Sequence, residues 1–433
     1  MRIFPYFLFF LPQEIMSELT WHQREKFREI LNFIRQGEKR ILLKGSAGVG
    51  KTWLVHTLVD HLSHQVKPKR IMCSAPTHKA LSVIRGKVIV DEVKFTTVHS
   101  ALHYRSSTDR DTGKRVFSSQ PNPKWPPLNH IDYWVIDEAS MVDLGMLQTI
   151  REHANNQNTT VIFVGDDKQL NPVDEEDSCV FHQDYAEVEL TEIIRQGEGN
   201  PIITLSRNMS KIWEKKDNLI GGTGYLHSQN LAKVIEELAR VNGTDEFKYL
   251  AWTNREVDKI NTLVRRRIYG DNPAKVELGE TIVFDAPYGD YNTNETVQVK
   301  QLVLKTKIMN LLLKDTDKEV IIETVEFKVY SVNNSILILE DSSISLFKKY
   351  AAIMNKNCKE KILNFEDRNN FLSTFASFKY NHALTIHKSQ GSTYKTTVLN
   401  IRDINFNQNE KEKQRLFYTG VTRASDLLIL YNV

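Results

Sequence analysis

Cysteine is nearly absent from this chain. There are three in 433 residues, Cys73, Cys179 and Cys358, odd in number and far apart. Such spacing builds neither a disulfide framework nor a zinc cluster, and it points to a reducing compartment. An excess of one charge is also missing: Lys and Arg total 57 against 54 for Asp and Glu, a net charge of +3. That balance excludes binding to nucleic acid by bulk charge and leaves room for a local basic groove. No stretch approaches the ~18 apolar residues of a membrane span, so no membrane partner is expected. Internal repeats and low-complexity tracts are absent too. The chain is 41% hydrophobic and 26% charged, an ordinary globular balance, and at about 150 residues per domain its length predicts two to four domains. One segment is odd, the apolar MRIFPYFLFFLP at residues 1–12. Pro5 interrupts it and no small-residue cleavage site follows, so we expect a start at Met16 rather than a signal peptide.

From Thr20 the apolar spacing of Phe27, Ile30, Leu31 and Ile34 predicts a helix ending at Gly37. Short apolar strands then alternate with helices: ILLKG (41–45), RIMCSAP (70–76), YWVID (133–137) and TVIFVGD (160–166). This is the pattern of an α/β domain with a parallel sheet, whose ligand sits at the carboxyl ends of the strands. Two insertions break it. At 103–130, an Asp-Thr-Gly turn between polar-aromatic runs predicts a β-hairpin. At 278–340, TIVF, TVQVKQLVL, EVIIETVEFKVY and SILILE predict a small barrel-like β module. A charged helical stretch at 345–378 reads as an arm rather than a core element. The alternating strands resume with ALTIH, VLNI and LLILY.

The strongest chemical signal is GSAGVGKT, Gly45 to Thr52, between a strand and a helix. Gly45, Gly48 and Gly50 let the backbone wrap closely, so that the amides of Ser46, Ala47, Val49 and their neighbours face phosphate oxygens. The helix N-terminus opening at Lys51, Thr52 and Trp53 adds partial positive charge. Lys51 reaches the β- and γ-phosphates and the Thr52 hydroxyl coordinates Mg²⁺. In VIDEAS, a strand delivers Asp137 to the Mg²⁺ shell and Glu138 to the attacking water. In GDDKQL, Gln169 can sense the γ-phosphate and Asp166 can reach water or metal. Arg195 and Arg423 are candidates to stabilise the charge that develops in phosphoryl transfer.

Nine motifs occur in order: GSAGVGKT, APTHKAL, TVHSAL, VIDEASM, GDDKQLNPV, LTEIIRQ, WTNREVDKIN, TIHKSQGST and YTGVTRA. The series resembles that of superfamily 1B DNA helicases, especially the RecD- and Dda-like members. The resemblance implies two RecA-like P-loop motor domains. The first would be 17–184, with a hairpin insertion at about 103–130. The second would be 185–277 with 371–433, interrupted at 278–370 by an SH3-like β module with its helical arm. It also implies that Gln23 reads adenine, that Arg195 and Arg423 are arginine fingers, and that Gln390 and Gly391 link the nucleotide cleft to the DNA track. Pro76, Thr77, His78, Thr97 and His99 become DNA-side candidates, with Asn254, His387 and Lys388 in the later motifs. One departure is visible: relatives carry an Asn-Gly-Glu-type turn in the β module, where this chain has NTNET (292–296).

Basic residues cluster at Lys67, Lys69, Arg70, Lys79, Arg85 and Lys87, and again at Arg265, Arg266 and Arg267, where they could neutralise phosphates. The hairpin interleaves Tyr104, Arg105, Arg110, Lys114, Arg115, Phe117 and Trp125, a mixture suited to base stacking. Phe117 or Tyr104 is therefore expected to be the strand-separating pin. A GTPase-like switch is disfavoured, because its guanine-reading Asn-Lys-x-Asp is absent. The expectation is a monomeric, cytoplasmic ATP- and Mg²⁺-dependent helicase of a bacterium or phage-infected cell, acting in replication, repair or recombination. It would work 5′ to 3′ on single-stranded DNA and single–double-strand junctions, with single-strand-binding or replisome proteins as further partners. The alternative is a translocase, or an RNA- or protein-displacing ATPase, built on the same motor.

Overall fold

The computed structural model describes residues 18–65, 70–86, 88, 93–108, 115–119, 131–172, 175, 177–192, 199–314, 320–360 and 362–433. The expected start at Met16 lies outside them.

In chain order the first elements are α1 (Trp21–Gln36), β1 (Arg40–Gly45), α2 (Lys51–Ser63), β2 (Ile71–Ala75), α3 (His78–Arg85), β3 (Lys94–Thr97) and α4 (Val98–Ala101). Next come β4 (Tyr104–Thr108), β5 (Arg115–Ser119), β6 (Tyr133–Ile136), α5 (Leu144–Asn156), β7 (Thr160–Gly165), β8 (Ala186–Leu190), α6 (Pro201–Arg207), β9 (Asn218–Ile220) and β10 (Thr223–Ser228). The middle of the chain forms α7 (Leu231–Val241), β11 (Phe247–Ala251), α8 (Asn254–Tyr269), β12 (Thr281–Phe284), β13 (Thr296–Gln298), β14 (Leu302–Lys314), β15 (Val320–Val332) and β16 (Ile336–Leu339). The last are α9 (Ile344–Lys359), α10 (Phe365–Leu372), β17 (Phe378–Tyr380), β18 (Ala383–Thr385), β19 (Tyr394–Asn400), α11 (Ile401–Asn405), α12 (Glu410–Val421) and β20 (Ala424–Tyr431).

Two compact units result. One takes the chain up to Ser228 with Ile386–Thr393 and Leu399–Val433; the other takes Gln229–Thr385 with Tyr394–Val398.

The first unit is built on a six-stranded sheet in the order β3-β2-β6-β7-β1-β8, in which every neighbouring pair is parallel. Alternation along each strand feeds two cores. Leu43, Val135, Ile162 and Val164 face α1 and α2 through Phe27, Ile30, Leu54 and Leu58. Leu42, Trp134, Ile136, Val161 and Phe163 face α5 through Met146, Leu147 and Ile150. A parallel sheet covered on both faces needs such doubly apolar strands. The buried Trp134 indole donates to Ser74 Oγ (2.9 Å), which satisfies its one polar atom. In the same unit β10 pairs in parallel with β20 and antiparallel with β9. Helix α1 begins with a capping box between Thr20 and Gln23 and ends at Gly37 in the left-handed region, as expected.

The hairpin insertion forms as expected: β4 pairs antiparallel with β5, Ser106 opposite Phe117. Its turn, with Arg110 and Lys114, and Trp125 lie outside the described residues. Tyr104 does not fit the pin role. Its hydroxyl is hydrogen-bonded to Thr149 Oγ1 (2.9 Å) and its ring packs against the α5-side core, so it anchors the hairpin's base.

In the second unit β11 pairs in parallel with β18. The β module is two three-stranded sheets, β13-β12-β17 and β14-β15-β16. The run TVQVKQLVL divides between β13 and β14. Between them Val299 turns to bond Gly279 and Glu280 instead of a neighbouring strand. The two sheets share a core of Ile282, Phe284, Val299, Val332, Ile336 and Ile338. In the NTNET segment Asn294 adopts a φ of 66°. Asparagine is among the few non-glycine residues that enter this region readily, so it supplies the turn without glycine.

The helices after the module are not an arm. Tyr350, Met354, Phe371 and Phe375 from the α9–α10 segment bury themselves against Leu311, Leu313, Val325 and Phe327 of the β14–β15 ribbon. The charged residues of that segment obscure an apolar face.

The arginine triplet is also corrected. Arg265 is buried, its Nε donating to Glu280 Oε1 (2.6 Å) and its guanidinium lying 4.0 Å from the centre of the Tyr380 ring. It is a fold clasp and carries no free charge for phosphate. Arg267 lies 3.7 Å from Glu236.

Candidate functional site

The phosphate loop, APTHKAL, TVHSAL, VIDEASM and GDDKQLNPV each begin at the carboxyl end of a sheet strand, because parallel strands deliver their ends to one edge; YTGVTRA instead closes helix α12 ahead of β20. Strand β1 ends at Gly45, and helix α2 starts at Lys51 with Gly50 as its cap, at a φ of 80° and with no side-chain cap bond. Gly48 has a φ of 85°. A Cβ on Gly45 would stand 2.7 Å from Val49 Cγ2 and 2.9 Å from the Leu190 carbonyl. The loop's shape therefore depends on these glycines. Lys51 Nζ donates to the carbonyls of Gly45 (2.5 Å) and Ser46 (3.0 Å), which folds the ammonium over the loop. Thr52 is half-buried beside it, Val49 is buried, and the exposed Trp53 packs against His56 at 5.2 Å.

Gln23 is buried. Its Oε1 accepts from the Thr20 N–H (3.2 Å) and its Nε2 donates to the Gly50 carbonyl (3.4 Å). It thus ties α1 to the last glycine of the loop. Gln169 is buried on the far side, and its Oε1 has no hydrogen-bond partner. A buried amide oxygen left unpaired costs about 1–3 kcal/mol, and it is suited to a ligand or its water. The glycine cradle fits a nucleotide phosphate, and the orphaned acceptor fits a water beside it, which can donate to the amide oxygen.

Strand β6 hands Asp137 and Glu138 to the same edge. Asp137 Oδ1 accepts from the Glu138 N–H (2.9 Å), and Glu138 sits at a φ of 51°. A non-glycine residue held there is strained by about 1–3 kcal/mol, which native sites tolerate for function. Burial, then Asp137, push the Glu138 carboxyl up from 4.5 to about 7; Arg423 and Lys51 pull it down, and Asp166 pushes it up. That single carboxyl therefore feels four of the site's charged groups. A carboxylate tuned near neutrality is a good general base.

Arg423 is buried at the end of α12. Its Nε donates to the Thr419 carbonyl (3.0 Å), Nη1 to the Ser392 carbonyl (3.0 Å) and Nη2 to Thr422 Oγ1 (3.1 Å). Arg195, the other expected finger, lies outside the described residues. A cavity of about 270 Å³ lies beside the loop, lined by Ala47, Gly48, Ile202, Ile203, Thr393 and Thr422 among others.

The sequence reading missed two residues that hold this site, Tyr418 and Arg415. Asp166 does not face open solvent: its Oδ1 accepts from the Lys168 N–H (3.1 Å) and its Oδ2 from the Tyr418 hydroxyl (2.7 Å). Tyr418 in turn accepts from the Ala47 N–H (3.2 Å). Arg415 donates to the carbonyls of Asp167 (2.6 Å) and Gln169 (2.8 Å) and to Asp177 Oδ1 (2.9 Å). Tyr418 lies inside YTGVTRA, so its motif was visible, but nothing in the spelling showed where its hydroxyl points.

Gln390 is buried and donates to the Leu170 carbonyl (3.3 Å), after the Gln169 loop. Gly391 has a φ of 72°, and a Cβ there would meet Ala80 Cβ at 2.8 Å. These two residues join the Gln169 loop to α3 and are not described in contact with the phosphate loop. The DNA-side candidates fall into separate groups. Parallel pairing sets Ala75 opposite Thr97, so Pro76, Thr77 and His78 lie beside Thr97 and His99. Both threonine hydroxyls already cap helices, Thr77 through the Ala80 N–H and Thr97 through the Ser100 N–H. The His99 ring meets Tyr104 edge-on. His387, whose protonation burial disfavours, sits 3.7 Å from Glu412, with Lys388 next in chain. Asn254 is exposed at the start of α8, in the second unit. The Phe117 side chain is outside the described residues.

Among the described residues no helix is long and apolar enough to cross a membrane. Also among them, no three His, Cys, Asp or Glu side chains cluster to hold a metal. Mg²⁺ keeps several waters and needs one or two protein ligands, so Thr52 and Asp137 remain a sufficient pair.

The AAA domain family matches residues 18–228 and the UvrD-like helicase C-terminal domain matches 380–431. The ATP-dependent DNA helicase dda of Enterobacteria phage T4 is 24% identical, over 94% of this chain and 98% of that protein. An uncharacterized protein of Acanthamoeba polyphaga mimivirus is 25% identical, over 92% and 97%. RecD, a RecBCD enzyme subunit, from Buchnera aphidicola is 25% identical, over 95% and 73%. Among solved structures the chain shares its fold with Pif1 helicase from Candida albicans, with a TM-score of 0.53 and 18% identity over 96% of this chain and 94% of that one. A Pif1 structure at forked double-stranded DNA gives 0.53 and 17% over 94% and 91%. The motifs in order, the AAA and UvrD-like C-terminal matches, the Dda and RecD relatives and the Pif1 fold together support a superfamily 1B helicase related to Dda and RecD.

Proposed function

We propose that the chain is an ATP-dependent DNA helicase that moves 5′ to 3′ on single-stranded DNA and opens the duplex ahead of it. The observation that carries the reading is the convergence of Lys51, Asp137, Asp166 and Arg423 on the Glu138 carboxyl. Lys51 and the amides of the glycine loop hold the phosphates. Thr52 and Asp137 would hold Mg²⁺, which supplies positive charge to the β- and γ-phosphate oxygens. Glu138 takes a proton from the attacking water. Gln169 orients that water, and Arg423 offsets the negative charge that develops. A triphosphate adds negative charge for Arg423 and Lys51 to hold, so the closed form is favoured with ATP and lost after hydrolysis.

The motor domains proposed from the motifs are 17–184 and 185–277 with 371–433, and 278–370 is the inserted β module. The names of the relatives and of the solved Pif1 structures, which speak of DNA helicases and DNA unwinding at a fork, support DNA as the track.

The test is strand displacement on 5′-tailed, 3′-tailed and blunt duplexes, with ATP hydrolysis followed in parallel and Lys51→Ala as the control. Opening of the 5′-tailed duplex alone is expected, with no turnover in Lys51→Ala. Preference for the 3′ tail would overturn the polarity. DNA-stimulated hydrolysis without displacement would leave a translocase.

A further inference from the structure

Helix α12 presents two side chains three residues apart, Arg415 and Tyr418, to the same loop. Residues at this spacing share a helix face. Arg415 takes the carbonyls of Asp167 and Gln169, and Tyr418 takes the Asp166 carboxylate. Every one of these contacts falls on residues 166–169, the loop that carries the buried, unpaired Gln169 Oε1. The Tyr418 oxygen has a second partner, the Ala47 N–H within the phosphate loop. Burial and Asp166 both push the Tyr418 hydroxyl well above its ordinary range, so it stays protonated and remains a donor to Asp166. Asp166 is itself almost fully buried. A hydrogen bond between a neutral donor and a buried carboxylate is stronger than one between neutral groups.

Arg423 follows two residues after the end of the same helix, whose seating is tight on the side away from the latch. A Cβ on Gly420 would stand 2.5 Å from Leu399 Cδ1. We propose that Arg415 and Tyr418 are positioning residues that latch the 166–169 loop and the phosphate loop to α12. Gln169 and Arg423 then approach the γ-phosphate as one piece. Neither latch residue touches the reacting atoms. Each acts through the group it holds: Arg415 through the backbone of Gln169, Tyr418 through Asp166 and, along α12, through Arg423.

This inference rests on the ATPase reading above, and the experiment separates the two. ATP turnover, in the presence of single-stranded DNA, is measured for the wild type, Tyr418→Phe, Arg423→Ala and the double variant, with ADP affinity and thermal unfolding recorded for each. Loss of a charge-assisted hydrogen bond predicts that kcat falls about tenfold in Tyr418→Phe, with KM for ATP and ADP affinity within about twofold. In the Arg423→Ala background the same change should cost almost nothing further, because residues that act as a unit are not additive. Arg415→Ala removes a partly exposed side chain, and it should repeat the kcat loss and the non-additivity even if Tyr418→Phe folds poorly. Asp166→Asn, which keeps an acceptor for Tyr418, should retain more activity than Asp166→Ala. Additive losses, or losses in ADP binding without a fall in kcat, would overturn the latch. A wild type that hydrolyses no ATP, or an active Lys51→Ala, would instead overturn the site reading on which it stands.

Discussion

The protonation of Glu138 gives a prediction in which stability and catalysis must move together. Burial and Asp137 raise its carboxyl from 4.5 to about 7 in the folded protein. The folded state therefore holds that proton more tightly than the unfolded chain does. The resulting stability is fully present at low pH and is lost as pH rises from the unfolded to the folded value. At 1.36 kcal/mol per pH unit, the loss between about pH 5 and about pH 8.5 is about 2.5 kcal/mol. Glu138→Gln has nearly the same shape and no proton to lose. Relative to the wild type at the same pH, its stability advantage should grow by that amount over the interval. With an unfolding entropy of about 2.1 cal/mol/K per residue over 433 residues, the widening gap in Tm is about 3 °C. It is read by differential scanning calorimetry of the two proteins across the pH series. In parallel, kcat/KM for ATP should rise about tenfold per unit below about pH 7 and level off above about pH 8, because that ratio reports the free enzyme's base. Glu138→Gln should lower kcat about 10²–10⁴-fold. A Tm gap that stays constant with pH would refute the burial argument. A flat rate profile between about pH 5.5 and about pH 8 would remove Glu138 as the base.

Two further outcomes follow from named contacts. Gly391→Ala forces a Cβ at a φ of 72° to within 2.8 Å of Ala80 Cβ and 3.2 Å of its Cα. It should cost about 1–3 kcal/mol of stability and depress the stimulation of ATP turnover by DNA, checked by thermal unfolding and by hydrolysis with and without single-stranded DNA. Deleting residues 106–116, which removes half of the strand residues of the β4–β5 ribbon but leaves the Tyr104 anchor, should spare DNA-stimulated hydrolysis and abolish strand displacement. Equal loss of both activities would show that the hairpin is not a separation pin.

The β module shows where sequence patterning stops being informative. Alternating β-branched residues marked its strands. The break at Val299, the two-sheet arrangement and the closure by α9 and α10 depend on which apolar face finds which partner. Charge was equally ambiguous in one dimension: Arg265 and Arg266 are adjacent in sequence, yet one is buried against Glu280 and the other is exposed. A pattern of types cannot tell a solvated cation from a paired one, since pairing depends on a neighbour 15 residues away.

By itself the sequence determined the parallel α/β sheet, the phosphate loop after β1, the acidic pair after β6 and the ordered motifs that make it similar to helicases. Each of these is written in a short contiguous stretch, where backbone geometry and chemistry are both local: glycines that permit a turn, a lysine at a helix start, carboxylates at a strand end. The tertiary structure alone decided the rest. It raised Glu138 toward neutrality by burial among charges from distant segments, left Gln169 with an open acceptor, and turned Gln23 into a tether for Gly50. It also brought the Tyr418 hydroxyl to Asp166 across 252 positions of sequence. Desolvation and Coulomb forces act through space on whatever folding gathers, and no local pattern records that gathering.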